Sequence, residues 1–492
     1  MAARSISDGG SPVSRGTSAT DVTTQLPRIW TVAGVTLMLL VGSLALFWPG
    51  IAMYDSVRQF AQALAGAYED WHPPAMARTW SGLHAAVGGT SEPMFGLQMA
   101  LYWAGFGLIA AALARLGRRR AAAAVLAIGA LPLFLGWQAV VLKDTQMLGA
   151  VLAACGAMAW WRLRAARVPV WALIAVAALL AYATLLRANA VFATVPLAVM
   201  LFGSGRWWTR LALGLAGVAA VLMVAPLLNH GPLGAASSGV ERTEALYDLA
   251  GIAVRAPDAA IGFTPFEARA LMSGHCVKPY FWDPLGEEPR CAPIMARLRS
   301  RPAGELYRML VAAIVRHPFA YAAHRLAHFN STERWLVLAG LPGAAPPARS
   351  EPNSLGLGNP GAAARGWQVT AGWMAETPLG WPVVWLIVAI IGLAAAAPRA
   401  SAPPRDLALA LLVSAITLEL SFGVLSIASD LRYHLWPMVA TALATVLLWG
   451  DWWRSQRVVR IGGLALAVVL VAGTVARLTL PSPPTGHRDL LR

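Results

Sequence analysis

From residue 29 onward the chain reads as long apolar blocks separated by short polar ones. The blocks lie at 29–48, 94–115, 121–141, 145–161, 168–186, 188–204, 211–228, 380–397, 406–428, 435–450 and 461–480. Each runs about 16–23 residues, long enough to cross a bilayer as a helix. Apolar and polar positions do not alternate within the blocks, and Ala and Leu dominate them, so strands are set aside. The pattern predicts an all-α polytopic membrane protein with about eleven transmembrane helices.

The polar intervals divide the chain. Residues 1–28 are Ser/Thr-rich and poor in apolar residues, and read as a disordered cytoplasmic tail. No cleavable signal peptide precedes the first block, so the first span is expected to serve as the insertion signal as well. Residues 29–228 hold seven spans, with a first outer loop at 49–93. Residues 229–379 form one long polar segment, read as an extracytoplasmic domain. Within it, "ELYRMLVAAIVRHPFAYAAHRLAHF" has the spacing of an amphipathic helix interrupted near Pro318, whereas "LPGAAPPARSEPNSLGLGNPGAAARG" is loop. Residues 380–480 hold the last four spans, and 481–492 a short extracytoplasmic tail.

Arginine orients the bundle. Arg115, Arg118, Arg119 and Arg120 follow the second span, and Arg162, Arg164 and Arg167 follow the fourth. Arg206 and Arg210, Arg399 and Arg405, then Arg454, Arg457 and Arg460 follow the sixth, eighth and tenth. The positive-inside rule makes those loops cytoplasmic, with the N-terminus inside and the C-terminus outside. The expected location is the inner (cytoplasmic) membrane, as a multi-pass protein. The formal charge of +15 is thereby largely a topology signal; no long basic run or nucleic-acid-binding signature is present. The 13% charged content is about half that of a soluble protein. Cys155 lies in an apolar block and reads as a small core residue. Cys276 and Cys291 flank "VKPYFWDPLGEEPR" and are placed for a disulfide if that segment is outside the cytoplasm.

The opposite face collects different residues. The first outer loop carries Tyr54, Asp55, Glu69, Asp70 and His72-Pro73-Pro74. Tight outer turns carry Lys143 and Asp144, then Arg187 and Asn189; a late outer loop, "SDLRYHLWP", carries Asp430, Arg432, Tyr433 and His434. A carboxylate such as Asp55 can take a proton from a hydroxyl or hold a divalent cation. It can equally cap the helix that follows it. The prolines would stiffen the backbone around the His72 imidazole, which suits contact with a phosphate or a metal, or merely a turn. Lys143, Arg187 and Arg432 are natural phosphate partners, or local partners of Asp144 and Asp430. Ionisable groups at membrane-span ends are costly unless paired or solvated, and their gathering on one face points to a site. No cytosolic nucleotide-binding motif is present, so an activated donor at this face would be a lipid.

The order of these features resembles the integral-membrane glycosyltransferases with the C-type (GT-C) fold. It is closest to the protein-mannosyltransferase and aminoarabinose-transferase group and related membrane proteins. The residues that carry the likeness are the first-loop Asp55, the "HPP" at 72–74, the second-loop Asp144 and the late "RY" of Arg432 and Tyr433. The likeness covers roughly residues 29–200 and the late loop. It implies that Asp55 is the catalytic base or acceptor-binding acid and that Asp144 helps hold acceptor or metal. It also implies that Arg187 and Arg432, with Lys143, bind the lipid phosphate. Tyr54-Asp55-Ser56 lacks the paired acids common after the first span in that group, with Glu69, Asp70 and His72 as the alternative acceptor or metal residues. A divalent metal (Mg, Mn or Zn) is a cofactor the resemblance allows but does not require. Tyr54, Pro73, Pro74 and Tyr433 are expected to be structural.

The expected activity is inverting transfer of a sugar from a polyprenyl-phosphate-linked donor to an envelope glycan, lipid or protein outside the cytoplasm, with membrane lipids as the other partners and no nucleic acid. An O-antigen ligase or polymerase is the nearest alternative, resting on the Arg and His of "RHPFAYAAHRLAHF" rather than on Asp55. A transporter or flippase would instead draw on charge within the membrane, such as Glu419. A scaffold would leave the clustering unexplained.

Overall fold

The computed structural model describes residues 19–203, 205–258, 261–452, 455–483 and 490. The tail at 1–18 and most of 484–492 lie outside the described residues. Among the described residues the fold is all-α, with one sheet, a two-residue parallel pairing of Tyr68–Glu69 with Ala235–Ala236.

Helices stand at every apolar block. Among the described residues five are long and apolar enough to cross a membrane: Ile29–Phe47, Glu92–Arg115, Trp207–His230, Pro403–Leu425 and Gln456–Thr479. Shorter apolar helices occupy Val170–Leu186, Ala188–Phe202 and Pro382–Ala396. Two boundaries differ from the sequence reading. The first helix begins at Ala19, within the segment read as disordered tail. The block at 121–141 is not one helix but two, Arg119–Gly129 and Pro132–Gln138, bent by 53°. Pro132 explains the break, since it supplies no backbone N–H and constrains the residue before it.

The helices Glu92–Arg115 and Lys143–Arg162 form the centre. Their backbones approach closely because both carry glycine at the crossing: a methyl at Gly105 would lie 2.5 Å from the Leu152 carbonyl carbon, and one at Gly156 2.7 Å from the Gly105 oxygen. Small residues at such crossings are how helices associate where lipid removes the hydrophobic incentive. At the periphery, Trp207–His230 has no buried residue and packs mainly on Val191–Phe202. A largely apolar helix left this exposed is suited to lipid, not water.

Residues 245–313 of the segment 229–379 build a second core, whereas its Ala344, Leu357, Ala364 and Ala375 join the first. Thr243–Ala253 packs on Ala303–Arg316 and Pro318–Thr332, the interrupted amphipathic pair, around Leu246, Leu249, Leu271, Leu298 and Leu306. Cys276 and Cys291 are bonded, with Cα atoms 5.6 Å apart. Residues 341–361 are irregular, as expected, yet pinned to the first outer loop: Ala52 N–H donates to Ser350 Oγ (2.9 Å) and Glu351 N–H to the Ala52 carbonyl (2.8 Å). The helix Ala362–Ala375 that follows was not expected from the sequence.

Candidate active site

The site begins with a short backbone pairing. Ile51 N–H donates to the Ala139 carbonyl (3.0 Å) and Val141 N–H to the Ile51 carbonyl (2.8 Å). Ser56 Oγ then donates to the Val141 carbonyl (2.6 Å) and accepts from Met53 N–H (2.9 Å). This clasp sets the starts of two helices side by side, Tyr54–Ala65 and Lys143–Arg162. Asp55 and Lys143–Asp144 lie in their first turns, where the helix dipole favours a carboxylate.

Asp55 is the hub. Its Oδ2 accepts from Arg432 (3.0 Å) and from the Lys143 ammonium (3.3 Å), and its Oδ1 stands 3.5 Å from His72 Nε2. His72 Nδ1 meets Lys143 Nζ at 2.7 Å. An imidazole that accepts from the ammonium at Nδ1 carries its proton on Nε2, toward Asp55. Asp144, buried, takes the Arg187 guanidinium and lies 3.9 Å from that of Arg432. Arg432 also pairs with Asp430 at 3.0 Å. The face of Tyr433 supports Arg187 at 3.8 Å, a cation–π contact. Five of the residues singled out from the sequence, Asp55, His72, Lys143, Asp144 and Arg432, thus form one buried network, with Arg187 and Tyr433 at its edge.

Burial pushes the Asp55 carboxyl up, but Arg432 and Lys143 outweigh it and hold Asp55 well below the usual carboxylate range. Burial, then the Lys143 charge, pushes the His72 imidazole down, so it is neutral at neutral pH. Asp55 is therefore an anion and His72 an uncharged bridge.

Other expected residues fall elsewhere. Glu69 pairs in the small sheet and accepts from Gln62 (3.2 Å). Asp70 holds Ser238 through its N–H (2.7 Å) and hydroxyl (2.6 Å), and stands 3.4 Å from His230. Both tie the first loop to the segment at 230–238 and do not join Asp55. Tyr54 is exposed and faces Arg58, while Pro74 starts the helix Ala75–Val87. A divalent metal does not fit at Asp55: its Oδ2 is held by the Lys143 and Arg432 cations, His72 Nε2 carries a proton toward its Oδ1, and Asp144 is committed to Arg187. Asn189 and His230, placed on the outer face by the sequence but given no role there, line the cavity below. Glu333, which lies beside Glu419 and His434, was not singled out from the sequence. The only sequence signal for the last group was an acid inside an apolar block.

A cavity of about 730 Å³ opens against this network. Its polar lining includes Lys143, Arg187, Asn189 and Tyr433. Leu185, Phe192, Leu222 and Leu425 of the apolar helices add apolar lining, and Glu241, Glu244 and Tyr307 line it from the segment 229–379. Such a site can hold a molecule with an anionic head, an apolar tail and a hydroxyl-rich portion.

The basic residues of the amphipathic pair do not reach it. Arg325 is spent on Glu244, Asp248 (2.6 Å) and the Ser426 carbonyl (2.7 Å), and His328 on the Pro279 carbonyl (2.7 Å). Compared with known proteins, the chain matches no family model and no curated protein sequence.

Proposed function

We propose that the protein is an integral-membrane glycosyltransferase of C-type architecture, working at the extracytoplasmic face of the cytoplasmic membrane. It would take a sugar from a polyprenyl-phosphate donor and pass it to a hydroxyl of an envelope glycan, lipid or protein. The supporting observation is the cavity: two cations, Lys143 and Arg187, share its lining with apolar helix residues, and the buried Asp55 carboxylate is bonded to one of them. The eleven helical blocks with their cytoplasmic arginines supply the matching topology, N-terminus inside and C-terminus outside.

The chemistry follows from charge. In the resting network Asp55 is too well compensated to be a strong base. A lipid phosphate in the cavity competes for the Lys143 ammonium and the Arg187 guanidinium. As Lys143 turns toward the phosphate, Asp55 loses a partner and its basicity rises. Asp55 then removes the acceptor O–H proton while that oxygen attacks the anomeric carbon. The anomeric C–O bond to phosphate breaks, its electron pair leaves with the polyprenyl phosphate, and the two cations stabilise the growing charge. One displacement inverts the anomeric centre.

Polyprenyl phosphate binding to the detergent-purified protein tests this reading. Wild type is expected to bind in native mass spectrometry, and Arg187→Ala to lose about tenfold to a hundredfold in affinity, the worth of one charge-assisted contact. Equal binding by both proteins would remove the phosphate site. The ligase alternative gains no support: His324, Arg325 and His328 are committed to other partners, and no basic residue of that segment lines the cavity.

A further inference from the structure

A second polar cluster lies behind the late loop. Glu333, just past the helix Pro318–Thr332, Glu419, within Pro403–Leu425, and His434, at the end of the turn Leu431–His434, are all buried, at 2%, 1% and 0% exposure. Their ligating atoms lie within 4.8 Å of one another. His434 Nδ1 meets Glu419 Oε2 at 2.6 Å. Both oxygens of Glu333, Oε1 of Glu419 and Nε2 of His434 have no hydrogen-bond partner. The nearest arginine in sequence, Arg334, does not neutralise Glu333: it donates to the Leu341 (2.6 Å) and Pro342 (3.2 Å) carbonyls and faces Glu376 at 3.7 Å.

Glu333 is buried with no donor at either oxygen and Glu419 with only the His434 imidazole, so two negative charges here would be left largely uncompensated. A divalent cation compensates them: two carboxylates, a neutral imidazole and M²⁺ sum to zero charge. The donor set also selects among cations. Calcium and magnesium favour all-oxygen shells, whereas an imidazole beside carboxylates suits zinc or another first-row metal. We infer that Glu333, Glu419 and His434 bind a divalent transition-metal ion, zinc foremost, that staples the outer domain and the late loop to the membrane helix carrying Glu419. Arg432 stands two residues before His434 and reaches Asp55, so the ion is a positioning element for the site and not a participant in its chemistry. The inference does not rest on the transfer reading, because the donor atoms and their burial are independent of it.

Metal analysis of the full-length detergent-purified protein tests the inference. Wild type, prepared without chelator, is expected to carry about one zinc per chain, or to take up one from ZnCl₂ after stripping. Glu333→Gln and His434→Gln should each hold at least tenfold less, whereas His72→Gln keeps its metal. X-ray absorption of the loaded wild type should show only nitrogen and oxygen at about 2.0–2.2 Å. That reading needs no variant and so stands even if the substitutions fail to fold. Wild type that neither retains nor takes up Zn²⁺ or Mn²⁺ would overturn the inference. So would a carboxylic-acid infrared band in metal-free wild type that Glu333→Gln abolishes, which would assign the pair a shared proton instead. Metal lost in His72→Gln and kept in His434→Gln would move the ion to Asp55 and equally overturn it.

Discussion

Asp55 shows how much of this protein turns on single charges. Its three partners come from 17, 88 and 377 residues away in the chain, so nothing local in the sequence specifies the pairing. What was legible was the company these residues keep: span ends on one side, identified by where the arginines are not. What was not legible was which acid goes with which base. Glu69 and Asp70 sit beside His72 in sequence, but the short pairing with Ala235–Ala236 commits them to Gln62 and Ser238. His328 makes a prediction at the same scale. Burial, with the Arg325 charge adding, pushes its imidazole down to about 3, while the unfolded chain holds it near about 6.5. Between those values the unfolded state binds a proton that the folded state does not. Stability should therefore fall as the pH drops below about 6.5, by up to about 1.4 kcal/mol per pH unit for this residue. Thermal unfolding between about pH 7 and pH 5 is expected to show a shallower decline for His328→Gln than for wild type.

Among the elements, the clasp at Ile51 and Val140 matters most, because it fixes where the helices Tyr54–Ala65 and Lys143–Arg162 begin. Gly50 makes it possible. Its φ of +97° is unfavourable for a side chain, and a methyl there would meet Val141 at 2.9 Å and Phe95 at 3.0 Å. Gly50→Ala is expected to cost about 1–3 kcal/mol of stability. Because the clasp carries Asp55 to Lys143, the same variant should also bind polyprenyl phosphate more weakly; unchanged melting and unchanged binding together would show that the clasp does not position the site. Helix existence was legible because apolar blocks of membrane length have few alternatives. The 53° bend at Pro132 was not, since a proline within an apolar block can kink a span or divide it. The helix Ala362–Ala375 was hidden by the Gly/Pro-rich run before it.

On the scale of the whole molecule, function follows from the meeting of two environments. The apolar helices supply apolar lining, and the segment 229–379 supplies acids and an aromatic ring to the same cavity, which Lys143 and Arg187 also line. The apolar helices could be read from the pattern of blocks, but the cavity could not, because its lining comes from eight separate stretches between Asp70 and Tyr433. The measurement that bears most directly on glycosyl transfer is the envelope glycan profile of the native host lacking this protein, complemented at matched levels with wild type or Asp55→Asn. The account predicts that one sugar is lost on deletion, that wild type restores it, and that Asp55→Asn leaves transfer about 10²–10⁴-fold slower, as for loss of a general base. An unchanged glycan profile on deletion, or full restoration by Asp55→Asn, would contradict it.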